Sequence, residues 1–289
     1  MAKYNVYGIG AALVDTEVEV SDRFLADAKV NKGVMTLVDE LRQRELLQSL
    51  SSEDLNLVKK CGGSVCNSVV ASSSLGSKAF FSGKVADDAD GELYVNDLNE
   101  AGVDFHSADP DPGTTGKCLV MVTEDAERTM NTFLGVSESL SSKEIDNEAL
   151  KDSEWLYFES YLLTYEAGTK TIKEAVEFAK EHGVKIAISL SDPLVVSVFG
   201  GRLRDILVDG VDLIFCNKEE AFAFAGSDDL DNATKNLMQY TKNFVITDGA
   251  NGALIYDGES IIRSESVSAK VIDTNGAGDM FAGAFLHAI

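Results

Sequence analysis

The sequence predicts an α/β protein, a three-layer α/β/α sandwich with a mostly parallel central sheet and a small β-sheet lid. Three features predict it. From Trp155 onward apolar strand runs alternate with helices, a pattern that covers a parallel sheet on both faces. The stretches after Asp15 and after Val103 are instead rich in strands and short turns. Finally, no Gly/Ser/Pro linker and no repeat divides the 289 residues, so one domain spans 1–289, with a lid formed by about 16–38 and 103–135.

In chain order, residues 6–10 form a short apolar strand, and Asp15 follows past its carboxyl end, where open α/β sheets bind ligands. Asp15 suits hydrogen bonds to a hydroxylated substrate; it also suits a turn or a cap. Residues 17–20 alternate, 21–28 read as a short helix and 34–38 as a second strand. Leu41, Leu46, Leu47 and Leu50 lie at helical spacing and mark an amphipathic helix over 39–50. After a polar region reaching Lys60, Gly62 and Gly63 precede a helix rich in small residues over 69–75. Paired glycines let backbone approach a ligand, and Asn67 brings a donor and an acceptor; a plain Gly-Gly turn fits the same residues. Residues 78–85 read as a strand. The acidic run Asp87-Asp88-Ala89-Asp90-Gly91 lacks a calcium-loop register ending in Glu and reads as a solvated turn and cap before a helix over 92–101.

Strands over 103–107, 117–123 and 128–134 follow, with turns at Asp109-Pro110-Asp111-Pro112-Gly113 and Glu124-Asp125. Thr114, Thr115, Gly116 and Arg128 are candidates to face a ligand, and Arg128 fits a surface ion pair equally well. The second half carries strands over 154–158, 184–190, 211–216 and 244–247, and helices over 166–181, 202–208, 219–225 and 230–241. Asn217 ends one strand and Glu220 lies three residues on, a pair that can orient hydrated Mg²⁺ or form a capping box. Thr247 and Gly249 offer contacts to a nucleotide phosphate, or an Asp-Gly hairpin turn.

The stretch Asp273-Thr274-Asn275-Gly276-Ala277-Gly278-Asp279 joins a strand-like run to a helix rich in small residues. Unpartnered N–H groups at such a helix start, with the helix dipole behind them, bind anions. A carboxylate there repels phosphate, so holding the anion is not what Asp279 does. It can take the proton of a hydroxyl attacking a phosphoryl group, or simply favour the helix dipole.

Composition narrows the partners. Against 25 Lys and Arg stand 48 Asp and Glu, a formal charge of −23, which opposes nucleic acid and anionic membrane. A nucleotide must then be held by helix N-termini, a metal ion and a few basic groups. Cys61, Cys66, Cys118 and Cys216 are not closely paired and the histidines are scattered, so no zinc pattern is present. No run of 18 apolar residues occurs, and the chain reads as cytoplasmic and reduced.

Neither Gly-x-x-x-x-Gly-Lys-Ser/Thr nor a Gly-x-Gly-x-x-Gly on the first strand is present. Instead, Asp273 to Gly283 resembles the second signature of the ribokinase/PfkB carbohydrate-kinase family, and Gly62-Gly63-Ser64-Val65-Cys66-Asn67-Ser68 resembles the first. Pro112 to Cys118, Tyr161-Leu162-Leu163-Thr164, Ser189 to Pro193 and Val211 to Asn217 are most similar to its adenosine-kinase branch. The resemblance implies a ribokinase-like fold and transfer of the ATP γ-phosphoryl group to the 5′-hydroxyl of a nucleoside; a sugar kinase for ribose, fructose or a related furanose, and an inactive nucleoside-binding homologue, are the alternatives. It implies Asp279 as base, Gly276, Ala277 and Gly278 as anion hole, and Arg128 approaching phosphate on lid closure. Asp15, Gly62, Gly63 and Asn67 would hold substrate; Thr247, Gly249, Gly252, Thr274 and Asn217 would contact ATP; Asn217 and Glu220 would hold Mg²⁺ through water. A monovalent cation such as K⁺ is compatible with it, as is a monomer or a lid-mediated homodimer. Ala11 replaces the Asn usual before the substrate aspartate, and family members continue through further helices beyond the position of Ile289.

Overall fold

Most strands fall where apolar runs predict them, those at 58–62, 253–256 and 261–264 were not expected, and all sort into two sheets. The computed structural model describes residues 2–51, 58–108, 112–125, 127–268 and 276–289. Its strands are β1 (Tyr4–Ile9), β2 (Leu13–Glu19), β3 (Met35–Leu37), β4 (Val58–Gly62), β5 (Ala79–Ser82), β6 (Val103–His106), β7 (Gly116–Val122), β8 (Arg128–Phe133), β9 (Ser153–Glu159), β10 (Lys185–Ser189), β11 (Val211–Asn217), β12 (Thr241–Thr247), β13 (Ala253–Tyr256) and β14 (Ile261–Ser264). Its helices are α1 (Asp22–Asp27), α2 (Glu40–Ser51), α3 (Ser64–Ser74), α4 (Ala89–Glu100), α5 (Asn147–Lys151), α6 (Glu166–His182), α7 (Pro193–Leu207), α8 (Lys218–Ala225), α9 (Leu230–Leu237) and α10 (Ala277–Ala288).

Among the described residues the large sheet runs β14-β13-β12-β11-β10-β9-β1-β5-β6. From β12 to β6 every pairing is parallel, while β13 and β14 add an antiparallel edge. Side chains alternate between faces, so one face presents Ile9, Leu156, Phe158, Ile188 and Phe244 to the helices on its side, including α6 through Ile172 and Val176. The other face presents Val6, Phe81, Tyr157, Leu213 and Val245 to Val69 of α3, Leu98 of α4 and Leu286 of α10. These strands are buried on both faces, hence the unbroken apolar runs.

Several boundaries differ from expectation: α3 begins at Ser64 rather than 69 and β2 at Leu13 rather than 17, and two further helices differ for local reasons. α7 begins at Pro193 rather than 202, because Asp192 accepts the N–H groups of Leu194 and Val195 and Pro193 occupies the first turn. α9 stops at Leu237, since Thr241 already pairs with Val211 in the sheet.

The smaller sheet has the order β3-β8-β7-β2-β4. Two lid assignments need correction. Residues 103–106 belong to the large sheet, where β6 pairs parallel with β5; the intervening α4 is the crossover that parallel strands require. Conversely β4, read as a polar region, completes the small sheet by pairing antiparallel with β2, its Val58-Lys59-Lys60 exposed at the edge. One face of this sheet packs Val18, Leu119 and Met121 on Leu25, Leu46 and Leu50. The acidic run at 87–90 is a cap, as expected, but it also ties the small sheet down. Asp88 accepts from Gly91 and from both the N–H and hydroxyl of Thr115, and Asp90 meets Lys59 at 2.8 Å and Lys117 at 2.6 Å. The strand-like run before Asp273, Thr274 and the turn at Asp109 to Asp111 fall wholly or mainly outside the described residues.

Candidate active site

The carboxyl ends of β1, β9, β10, β11 and β12 open on one cavity of about 340 Å³ beneath the inner face of the small sheet. Into it project the first turns of α3 and α10. Gly276, at φ 63°, caps α10 in a left-handed conformation that glycine favours, so Ala277, Gly278 and Asp279 form its first turn. Asp279 faces α3: its Oδ1 accepts from the Ser64 hydroxyl at 2.7 Å and its Oδ2 from the Asn67 amide at 3.0 Å. α10 can come this close because Gly283, one turn on, lies where any Cβ would strike the Ser68 carbonyl oxygen.

Glu159, the last residue of β9, is 1% exposed and accepts from the N–H groups of Ala11 at 3.0 Å and Val65 at 3.3 Å, binding the loop after β1 to the start of α3. Asp15 lies within β2 of the small sheet, not in a turn after β1, and reaches the cavity from above. Gly62 pairs with Leu13 across β2–β4, diagonal to Asp15, and a side chain there would collide with the Asp15 carboxyl. Gly63, at φ 96°, brings its backbone against the Ala11 carbonyl, where a Cβ would not fit.

Asn217 caps α8, and the pair expected there is a complete capping box: Glu220 N–H donates to Asn217 Oδ1, and Asn217 N–H and Nδ2 donate to the two Glu220 oxygens. Both residues line the cavity as well, so capping and ligand contact are compatible.

Four carboxylates thus converge, and each holds its proton more tightly than an ordinary carboxyl. Burial pushes Asp15 up to about 7, with Asp279 and Glu17 acting the same way against Arg128. Burial likewise pushes Glu159 up to about 7 against the N–H of Ala11, and Glu220 up to about 7 against the N–H of Asn217. Asp279 is raised by burial, while the Asn67 and Ser64 hydrogen bonds oppose the rise. Raised values mean the folded state binds these protons better than the unfolded chain, so their contribution to stability falls as pH rises from about 4 through 7. Glu159→Gln should accordingly gain stability relative to the parent between pH 5 and 8 in urea titrations. A difference that stays constant over that range would show that Glu159 titrates normally.

Among the described residues no Lys or Arg lines the cavity. Arg128 stands aside at the start of β8, 3.8 Å from Glu17 and 10% exposed, and does not reach Asp279 here. Gly249 and Gly252 shape the β12–β13 hairpin away from the cavity, and a Cβ on Gly252 would strike the Ser264 carbonyl; Thr247 alone of that segment lines the site. Polyphosphate would thus enter a site dense in carboxylates, which calls for a cation. Among the described residues no three His, Cys, Asp or Glu side chains stand close enough to hold a metal directly, but Glu220 and Asn217 retain lone pairs for a hydrated one. Sequence reasoning missed Ser64 and Glu159. Glu159 carries the signal that marked Asn217, a polar residue ending an apolar strand, whereas nothing local singles out Ser64.

Proteins of similar sequence and fold are kinases. Residues 34–289 match the family described as pfkB family carbohydrate kinase. The crystal structure of adenosine kinase from Sinorhizobium meliloti is 35% identical, with a TM-score of 0.91 over 99% of this chain and 88% of that one. Adenosine kinase 2 of Arabidopsis thaliana is 25% identical, covering 96% of this chain and 86% of its own, and ribokinase of Lactococcus lactis subsp. lactis (strain IL1403) is 29% identical, covering 82% and 74%.

Proposed function

The chain belongs to the pfkB family of carbohydrate kinases, and from that premise we propose that it transfers the γ-phosphoryl group of ATP to the 5′-hydroxyl of a nucleoside, adenosine foremost. The observation that carries the nucleoside reading is the cavity's mixed lining. Asp15, Asn67 and Asp279 offer acceptors and a donor for hydroxyls, while Leu13, Met35, Leu37, Met130 and Leu134 make an apolar wall in the same space. A free sugar is hydroxylated all round and leaves such a wall unmatched; a ribose bearing a flat base matches both parts.

In this reading Asp279 accepts the proton of the 5′-hydroxyl as its oxygen attacks the γ-phosphorus, the bond to the β-phosphate oxygen breaks, and ADP leaves. The N–H groups of Ala277 and Gly278 face the charge that develops on the transferring group. Asp15 and the Gly63 backbone hold the ribose, and Thr247 contacts ATP. Glu220 and Asn217 would hold a Mg²⁺ ion through water, and that ion would neutralise phosphate charge. The small sheet, tied to α4 through Asp88 and Asp90, acts as the lid that excludes water. Among the described residues no helix is long and apolar enough to cross a membrane and the cysteines are free thiols, and we place the enzyme in the cytoplasm.

The second reading is a sugar kinase, favoured by the number of hydroxyl acceptors, Glu159 included, at one end of the cavity. Coupled ADP release with adenosine, inosine, ribose and fructose separates the two. Adenosine is expected to turn over at least about tenfold better in kcat/KM than either sugar, as the lost apolar contacts are worth a few kcal/mol. Turnover of ribose or fructose with none of the nucleosides would establish the sugar reading.

A further inference from the structure

Asp279 is held by a residue that no part of the functional reading uses. We propose that Ser64 is a positioning residue for phosphoryl transfer, its hydroxyl holding the Asp279 carboxylate in the orientation that faces the attacking hydroxyl. This rests on the kinase reading above. The carboxylate stands on the third residue of α10, and one hydrogen bond would leave it free to pivot. Two donors from one turn of α3, Ser64 on Oδ1 at 2.7 Å and Asn67 on Oδ2 at 3.0 Å, fix both oxygens. An ionised carboxylate has about four lone-pair sites, so two remain for the substrate hydroxyl and its proton. Ser64 and Asn67 both line the cavity, and Ser64 makes the shorter of the two bonds from the first residue of α3.

Electrostatics make the second donor matter. Asp15 from β2, Glu159 from β9 and Glu220 from α8 are acids that feel the charge of Asp279, as do the phenols of Tyr157 and Tyr161; among the described residues no basic side chain lines the cavity, and Arg128, outside it, opposes the rise of Asp15. The Ser64 hydroxyl offsets part of that repulsion and favours the ionised base.

The test is kinetic. Ser64→Ala should lower kcat about tenfold or more with the acceptor KM within about twofold, and should move the acid limb of the kcat profile up by about one pH unit, the worth of a hydrogen bond to a charged group. Ser64→Thr, which keeps the hydroxyl, should restore most of the rate and the original limb. If Ser64→Ala does not fold, Ser64→Cys, of similar shape but a weak donor, carries the same expectation. A kcat within twofold of the parent, or an acid limb that stays in place, would overturn the assignment. Should Asp279→Asn remain active, the kinase reading fails first; an inert Asp279→Asn beside an unaffected Ser64→Ala removes Ser64 alone.

Discussion

Asp279→Asn is expected to lower kcat by at least about a hundredfold while leaving the protein folded and no less stable. Asn keeps the shape, its Oδ1 accepting from the Asn67 amide while its Nδ2 donates to the Ser64 hydroxyl oxygen, but it cannot take up the proton released when the substrate hydroxyl attacks. The acceptor KM should change little, because ribose is held by Asp15 and the Gly63 backbone. Stability should move the opposite way from activity: a buried carboxylate among three others is costly once ionised, so at pH 8 the variant is expected to melt at or above the parent temperature. Single-turnover kinetics and thermal melting at pH 8 check both halves. Turnover within a few fold of the parent would remove Asp279 from the chemistry.

What could be read in advance follows the range of the forces involved. Strands β9 to β12 were legible because burial on both faces demands continuous apolar runs, and the run itself records that burial. Asn67, Asn217 and Asp279 were legible because strand ends and helix starts have local signatures, although nothing local says that α3 and α10 meet; Asp15 was singled out as following a strand end, yet it lies inside β2. Sheet membership was not legible in the same way. β6 comes directly before β7 and β8 of the small sheet in the chain, and only the crossover through α4 assigns it to the large one. β4 was hidden by its lysines, since an edge strand need satisfy only one partner. Ser64 is a common residue at a common position, and its role exists only through a contact 215 residues away.

That contact depends on how closely two helices approach, which makes Gly283→Ala informative far beyond one methyl group. By helix propensity alone the change should stabilise α10 by about 1 kcal/mol. The new Cβ would, however, collide with the Ser68 carbonyl oxygen and lie 2.8 Å from the Ala71 Cβ, so α10 must move off α3. Asp279, one turn earlier on the same helix, moves with it, loosening its bonds to Ser64 and Asn67 and shifting the N–H groups of Ala277 and Gly278. A displacement near 1 Å at reacting groups costs up to about a hundredfold in rate. We therefore expect kcat to fall between about tenfold and a hundredfold, while the propensity gain offsets part of the packing strain and the melting temperature changes by only a few degrees. Gly201→Ala is the control: it lies in α7 with nothing within 4 Å of the added Cβ, and should raise stability with turnover unchanged. If Gly283→Ala lost stability but kept its rate, the spacing of α3 and α10 would not be what places the base, and the chain of cause from small residues to helix approach to catalytic geometry would break at its second step.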